Sequence, residues 1–188
     1  MTLGGRAFFY EFIAEFNKEG KKTNWEKLWD DPAKWTKEML GTAASRKKDD
    51  YGLLGRLGKR FQYQIEAEWR RIDQIWYHYL PKPETWESAP YRIDVAVEHE
   101  NQIGNLEFTL FKFEELSIPL KICIFYLSMQ DEKAVLRKSS EIISKQISSY
   151  PGGLYLMIFG LQDPKSGIYW HAYEIDSKGN VIVLHETS

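Results

Sequence analysis

The sequence predicts an α/β chain of the α+β mixed-sheet kind, a mixed β-sheet flanked by helices, and three observations predict it. Residues Tyr91–Asn101 read as a strand, with Ile93, Val95 and Val97 on one face and Asp94, Ala96, Glu98 and Glu100 on the other. Leu120–Leu127 and Leu154–Phe159 are near-continuous apolar runs of the kind buried on both faces. The stretches between them, Gly104–Ser117 and Asp131–Tyr150, carry apolar residues at helical spacing. Strand, helix, strand, helix, strand after a hairpin gives such a sheet.

The 188 residues suit one globular unit with a sizeable core, and a hydrophobic share of 43% with 15% aromatics excludes disorder. We divide the chain into an N-terminal helical extension, 1–60, packed on a core at 61–188. The one cysteine, Cys123, sits in an apolar run and cannot support a disulfide framework. A cytoplasmic protein is expected, with no secretory signal near Arg6 and no apolar run as long as a membrane span. A formal charge of -2 gives no global attraction to nucleic acid, so any such contact must come from local patches.

The first helix is expected from Arg6 to Glu19, with Phe9, Phe12, Ile13 and Phe16 on one face and Gly20 as its stop. Lys21-Lys22-Thr23-Asn24 is a solvated break. A turn at Trp25–Trp29 follows, capped by Thr23 or Asn24; Asp31-Pro32 then reads as cap and first position of a helix ending at Gly41. Trp25, Trp29 and Trp35 form a cluster that packs this arm onto the body. The glycines of Tyr51–Arg60 read as a mobile loop or frayed helix start. Arg46, Lys47, Lys48, Arg56, Lys59 and Arg60 around it offer either a phosphate-binding or a solvated basic surface. A helix is predicted over Phe61–Trp69 and a strand over Arg71–Leu80. The two apolar runs are strands with helices between them, the second helix stopped by Pro151-Gly152-Gly153. A hairpin of Ile168–Ile175 with Val181–Leu184 closes the chain.

The proline-rich stretch Pro81–Pro90 forbids continued ladder pairing and reads as the loop of a long hairpin. If Leu80 pairs with Tyr91, antiparallel register puts Asp73 opposite Glu98. Three carboxylates then gather at one sheet end, and a divalent cation is the natural compensator for their repulsion.

Asp73, then Glu98-His99-Glu100, then Pro119-Leu120-Lys121-Ile122 on the next strand, resembles the PD-(D/E)XK nuclease superfamily, the restriction-endonuclease-like fold. The resemblance covers roughly Gln62 to Phe159. It implies a restriction-endonuclease-like core and a metal-dependent endonuclease that hydrolyses DNA, restriction-like or repair-associated. Asp73 and Glu98 look like its two acids. Glu100 stands where the family usually has Lys, and Lys121 or Lys112 is the substitute. Asp73, Glu98 and Glu100 would hold Mg2+, or Mn2+ in its place, with Lys121 orienting water or offsetting phosphate charge. DNA is the implied partner, homodimerisation would address two strands, and no membrane is involved. The altered Lys position leaves a second reading open, a non-catalytic nucleic-acid- or protein-binding module that keeps the fold.

Each piece also has an ordinary reading. Glu98 and Glu100 fit a wet sheet edge, Asp73 a strand start, and Asp94 a hydrogen-bonded structural acid. His99 fits a satisfied interior histidine, and His78, His171 and His185 show no zinc spacing. Tyr169, Trp170 and Tyr173 read as a cross-strand cluster before they read as a base platform.

Overall fold

Among the described residues seven strands form one sheet in chain order, with helices layered on its two faces. The computed structural model describes residues 3–21, 23–85, 87–114, 116–146, 153–163 and 167–185. Lys22, Trp86, the end of the predicted second core helix at 147–150 and the Pro151-Gly152 stop lie outside them.

The N-terminal arm is helical as its apolar spacing requires. Helix α1, Gly5–Gly20, buries Phe8, Phe9, Phe12 and Phe16. The short α2, Trp25–Trp29, is capped by the Asn24 side chain, and α3, Pro32–Leu40, by Asp31 with Pro32 in its first turn. Gly41 ends α3 at φ 73, a conformation that suits glycine. After the one-turn α4, Ala43–Arg46, the glycine-rich stretch is neither loop nor frayed end. It is α5, Gly52–Arg60, with Leu53, Leu54 and Leu57 fully buried. Gly58 explains itself by close approach: an added Cβ would lie 2.2 Å from Ile65 and 2.9 Å from Trp76.

The predicted helix over Phe61–Trp69 is instead strand β1, Gln64–Trp69, paired antiparallel with β2, Ile72–Tyr79. The two-residue turn between them is Arg70-Arg71, both at positive φ, 46 and 72. Hairpin turns of this kind favour such angles, but Asn-Gly usually marks them and nothing of that kind is written here. Strand β3, Tyr91–Glu100, runs antiparallel to β2. Tyr91 pairs with Tyr79, one residue away from the expected Leu80, and a bulge then inserts Asp94, so that Trp76 meets Val95 and Gln74 meets Val97. Beyond the bulge the expected register is restored.

A 3-10 turn, Ile103–Asn105, leads into α6, Leu106–Lys112, shorter than the span to Ser117 that its spacing suggested. Strand β4, Leu120–Leu127, lies parallel to β3. After α7, Glu132–Lys145, strand β5, Leu154–Asp163, lies parallel to β4. Strands β6, Gly167–Ile175, and β7, Val181–His185, close the sheet as antiparallel neighbours.

The sheet separates two apolar clusters. On one face α1, α3 and α5 pack Phe8, Phe12, Trp35 and Leu53 against Trp76, Val95, Val97, Ile122 and Ile158. On the other, α6 and α7 pack Leu106, Leu110 and Ile143 against Ala96, Cys123, Tyr155 and Met157. Covering both faces is what makes β4 and β5 read as unbroken apolar runs. It also means that β3 has no wet face: Ala96 is fully buried and Glu98 only 2% exposed. No helix among the described residues is long and apolar enough to cross a membrane.

Candidate functional site

Asp73 opens β2 and Glu98 lies near the end of β3, so antiparallel pairing brings them together at the carboxyl end of the parallel strands. The Asp73 N–H donates to Glu98 Oε1 at 3.1 Å, and the His99 N–H donates to Asp73 Oδ2 at 2.8 Å. Each acid is thereby held by the other's strand. The bulge at Asp94 removes that residue from the carboxylate set; it is buried and accepts a two-point contact from Arg92 at 2.7 and 3.1 Å, the structural role expected of it.

The cation comes from α6. Lys112 Nζ lies 2.6 Å from Glu98 Oε2, where the side chains are 16% and 2% exposed. The 3-10 turn and about two turns of α6 after β3 swing the chain back over this sheet end and drop Lys112 onto the acid. Lys121, the other candidate, is fully buried, its Nζ without a hydrogen-bond partner among the described residues and 4.8 Å from the centre of the Tyr155 ring. It is the second residue of β4, at the mouth of that strand as expected, but its register partner is Ala96, two residues short of Glu98, and it is buried there away from the acid. Burial lowers its amine to about 8.

Glu100 does not complete the cluster. Its two oxygens accept from the Gln102 N–H at 2.8 Å and Asn105 Nδ2 at 3.0 Å, which ties it to the turn before α6. Among the described residues no group of three or more His, Cys, Asp or Glu is placed to hold a metal ion, so the three-carboxylate cage expected of Asp73, Glu98 and Glu100 is not assembled. The remaining pair is electrostatically loaded. Burial first, and then the Asp73 charge, raise Glu98 to about 8 against the pull of Lys112. Burial also raises Asp73, with the Glu100 charge adding to the rise, and the His99 N–H and Lys112 oppose it.

The predicted basic surface is largely spent on internal pairs. Arg46 holds Glu68 at 2.7 Å, Lys59 holds Asp49 at 3.0 Å, and Arg60 binds Glu11 and Glu15. Two other cations, not among the candidates drawn from the sequence, shortly precede Asp73 in the chain. Arg70 and Arg71 are exposed at the turn that immediately precedes β2, with Arg70 over the Trp69 ring at 4.9 Å. Their place three and two residues before Asp73 was the available signal. Glu68, Arg70 and Arg71 all adopt positive φ, an uncommon state for residues with a Cβ, and this cluster adjoins the acids.

No family model matches the chain, and no curated protein matches it in sequence at a significant level.

Proposed function

We propose that this chain has a restriction-endonuclease-like core and is a metal-dependent endonuclease that hydrolyses DNA phosphodiester bonds, with Asp73, Glu98 and Lys112 at its reacting centre. The observation that carries this reading is the Glu98–Lys112 contact at 2.6 Å beside Asp73. Two acids from neighbouring strands, both reluctant to ionise, with an ammonium between them and solvent, form a site at which a further cation and a phosphate relieve stored repulsion.

The residues fit Mg2+ in one form, held by two carboxylates and completed by waters and a phosphate oxygen, which is how this ion is commonly bound. Asp73 and Glu98 would hold it, and it would supply Lewis acidity and a more acidic water. Lys112 then leaves Glu98 for the phosphate, where its charge offsets what develops on the phosphoryl oxygens. Arg70 and Arg71 bind flanking phosphates. Lys121 stays in the core as a packed amine, and Glu100 fixes the turn that aims Lys112. Two copies would be needed to reach both strands of a duplex.

A second reading, a binding module that keeps the fold without cleavage, is favoured by one observation: Lys112 already balances Glu98. Incubation of supercoiled and linear DNA with Mg2+ or Mn2+ separates the two. The nuclease reading expects metal-dependent nicking that falls at least about a hundredfold in Asp73→Asn and Glu98→Gln. Wild type no faster than Glu98→Gln would overturn it, and retained DNA binding in that case would establish the module.

A further inference from the structure

The carboxyl ends of β3, β4 and β5 frame a cleft of about 340 Å3, lined by Trp29, Trp35, Asn101, Tyr126, Ser128 and Gln162. In open sheets with parallel strands this is the end where ligands bind. The cleft lies on the arm face of the sheet, while Asp73 and Glu98 lie at the same end on the other. His99 connects them: its backbone N–H donates to Asp73 Oδ2, and its Nε2 contacts the Tyr126 hydroxyl at 2.7 Å.

The wall is aromatic and fixed. Trp29, Trp35 and Tyr126 meet one another nearly edge to face, with centroids 5.2 to 5.5 Å apart. Trp35 is only 2% exposed, and its indole N–H approaches the Tyr126 hydroxyl yet makes no well-aligned hydrogen bond with any described residue. A buried donor held to a poorly aligned acceptor is uncommon. The polar rim is incomplete in the same sense. Asn101 gives its Nδ2 to Thr36 Oγ1 at 2.6 Å, which leaves Oδ1 as an oriented acceptor. Gln162 makes no side-chain hydrogen bond among the described residues and can present either end of its amide.

We propose that this cleft takes a single unstacked nucleobase of a DNA strand whose phosphate lies at Asp73 and Glu98. The inference rests on the nucleic-acid reading above and adds a base site to it. Aromatic faces accept any base by stacking, and two amides on the rim match the donor and acceptor edge of a planar heterocycle. Such a site takes hold of a base only when the strand is single or opened, so preference for frayed or single-stranded DNA follows.

The test is fluorescence anisotropy in EDTA, where cleavage cannot occur, with labelled single-stranded oligothymidylate and an abasic oligonucleotide of equal length. Wild type should bind the first about tenfold or more tightly than the second. Trp29→Leu should bring that ratio to one while leaving the abasic affinity unchanged, and Trp29→Phe should keep most of it. Trp29 is partly exposed, and far-ultraviolet circular dichroism verifies that the variants fold. Equal binding of the two oligonucleotides by wild type, or an unchanged ratio in folded Trp29→Leu, overturns the base site alone. Absence of binding to either oligonucleotide overturns it together with the nucleic-acid reading.

Discussion

Glu98 and His99 are sequence neighbours, almost equally buried, yet they face opposite sides of one sheet and meet opposite electrostatic worlds. His99 looks into the aromatic arm, where burial without a counter-charge pushes its pKa down to about 3 and keeps it neutral against the Tyr126 hydroxyl. Glu98 looks toward α6, where burial and Asp73 raise it to about 8 although Lys112 touches it. The difference teaches that one face of β3 is held by aromatic packing around a neutral histidine and the other is a charge cluster held in check by Lys112. Only the second carries unrelieved charge.

The largest effect should come from damage to the packed aromatic face. Trp35→Ala removes a side chain locked among Trp25, Trp29, Phe16 and Tyr126 and should cost about 3–5 kcal/mol, measured by urea unfolding. Its cost should be nearly independent of pH between 7 and 9, because no titrating group changes partner. On the other face, Lys112→Met strips Glu98 of its counter-charge and should cost about 3 kcal/mol at pH 9. The loss should shrink as Glu98 takes up a proton at lower pH, and the double variant Lys112→Met with Glu98→Gln should recover most of it. A pH-independent loss would mean that the lysine stem, and not its charge, is what matters.

The acid pair was foreseeable because antiparallel register is arithmetic: fixing one end of a hairpin fixes the other. A bulge at Asp94 shifted that arithmetic near the loop and also turned Asp94 out of the carboxylate row, which an alternation pattern cannot reveal. The strand β1 was hidden for a similar reason. Gln64–Trp69 is an edge strand with one buried side chain, Ile65, and its turn is made of two arginines in a conformation usually marked by Asn-Gly. In α5, glycines that read as looseness are sites of close approach to Tyr51 and Trp76. Lys112, and not the Lys121 favoured by its place on the next strand, reaches Glu98 because helix phase decides it, and that phase is set by the 3-10 turn which Glu100 anchors. The local amphipathic elements, by contrast, were plain: α1, α3 and their caps follow from spacing, Asp31, Pro32 and Gly41.

The two neighbours should also separate by pH. The folded pKa of His99 lies below its unfolded 6.5, so the stability it protects is full above pH 6.5 and is lost as pH falls toward 3. The folded pKa of Glu98 lies above its unfolded 4.5, so its ionisation costs nothing below pH 4.5 and most above pH 8. Melting temperature against pH in metal-free buffer should therefore fall on the alkaline side of a neutral-to-acid maximum in wild type and stay flatter there in Glu98→Gln. The smallest effect is expected at Glu100→Gln, which keeps the acceptor to the Gln102 N–H and should change stability by no more than about 1 kcal/mol. A loss of several kcal/mol would place Glu100 inside the charge cluster after all.

The claim that Asp73 and Glu98 form a cation-accepting site is tested most directly by thermal melting of wild type and Glu98→Gln, each in EDTA and in excess Mn2+. Metal at about a hundred times its dissociation constant contributes roughly 2.7 kcal/mol, equivalent to about 5–10 °C for a chain of this size. Wild type should gain that much and Glu98→Gln almost none, while in EDTA above pH 8 the variant should melt no lower than wild type. Identical responses to Mn2+ in the two proteins would contradict the site, and with it the assignment as a metal-dependent nuclease.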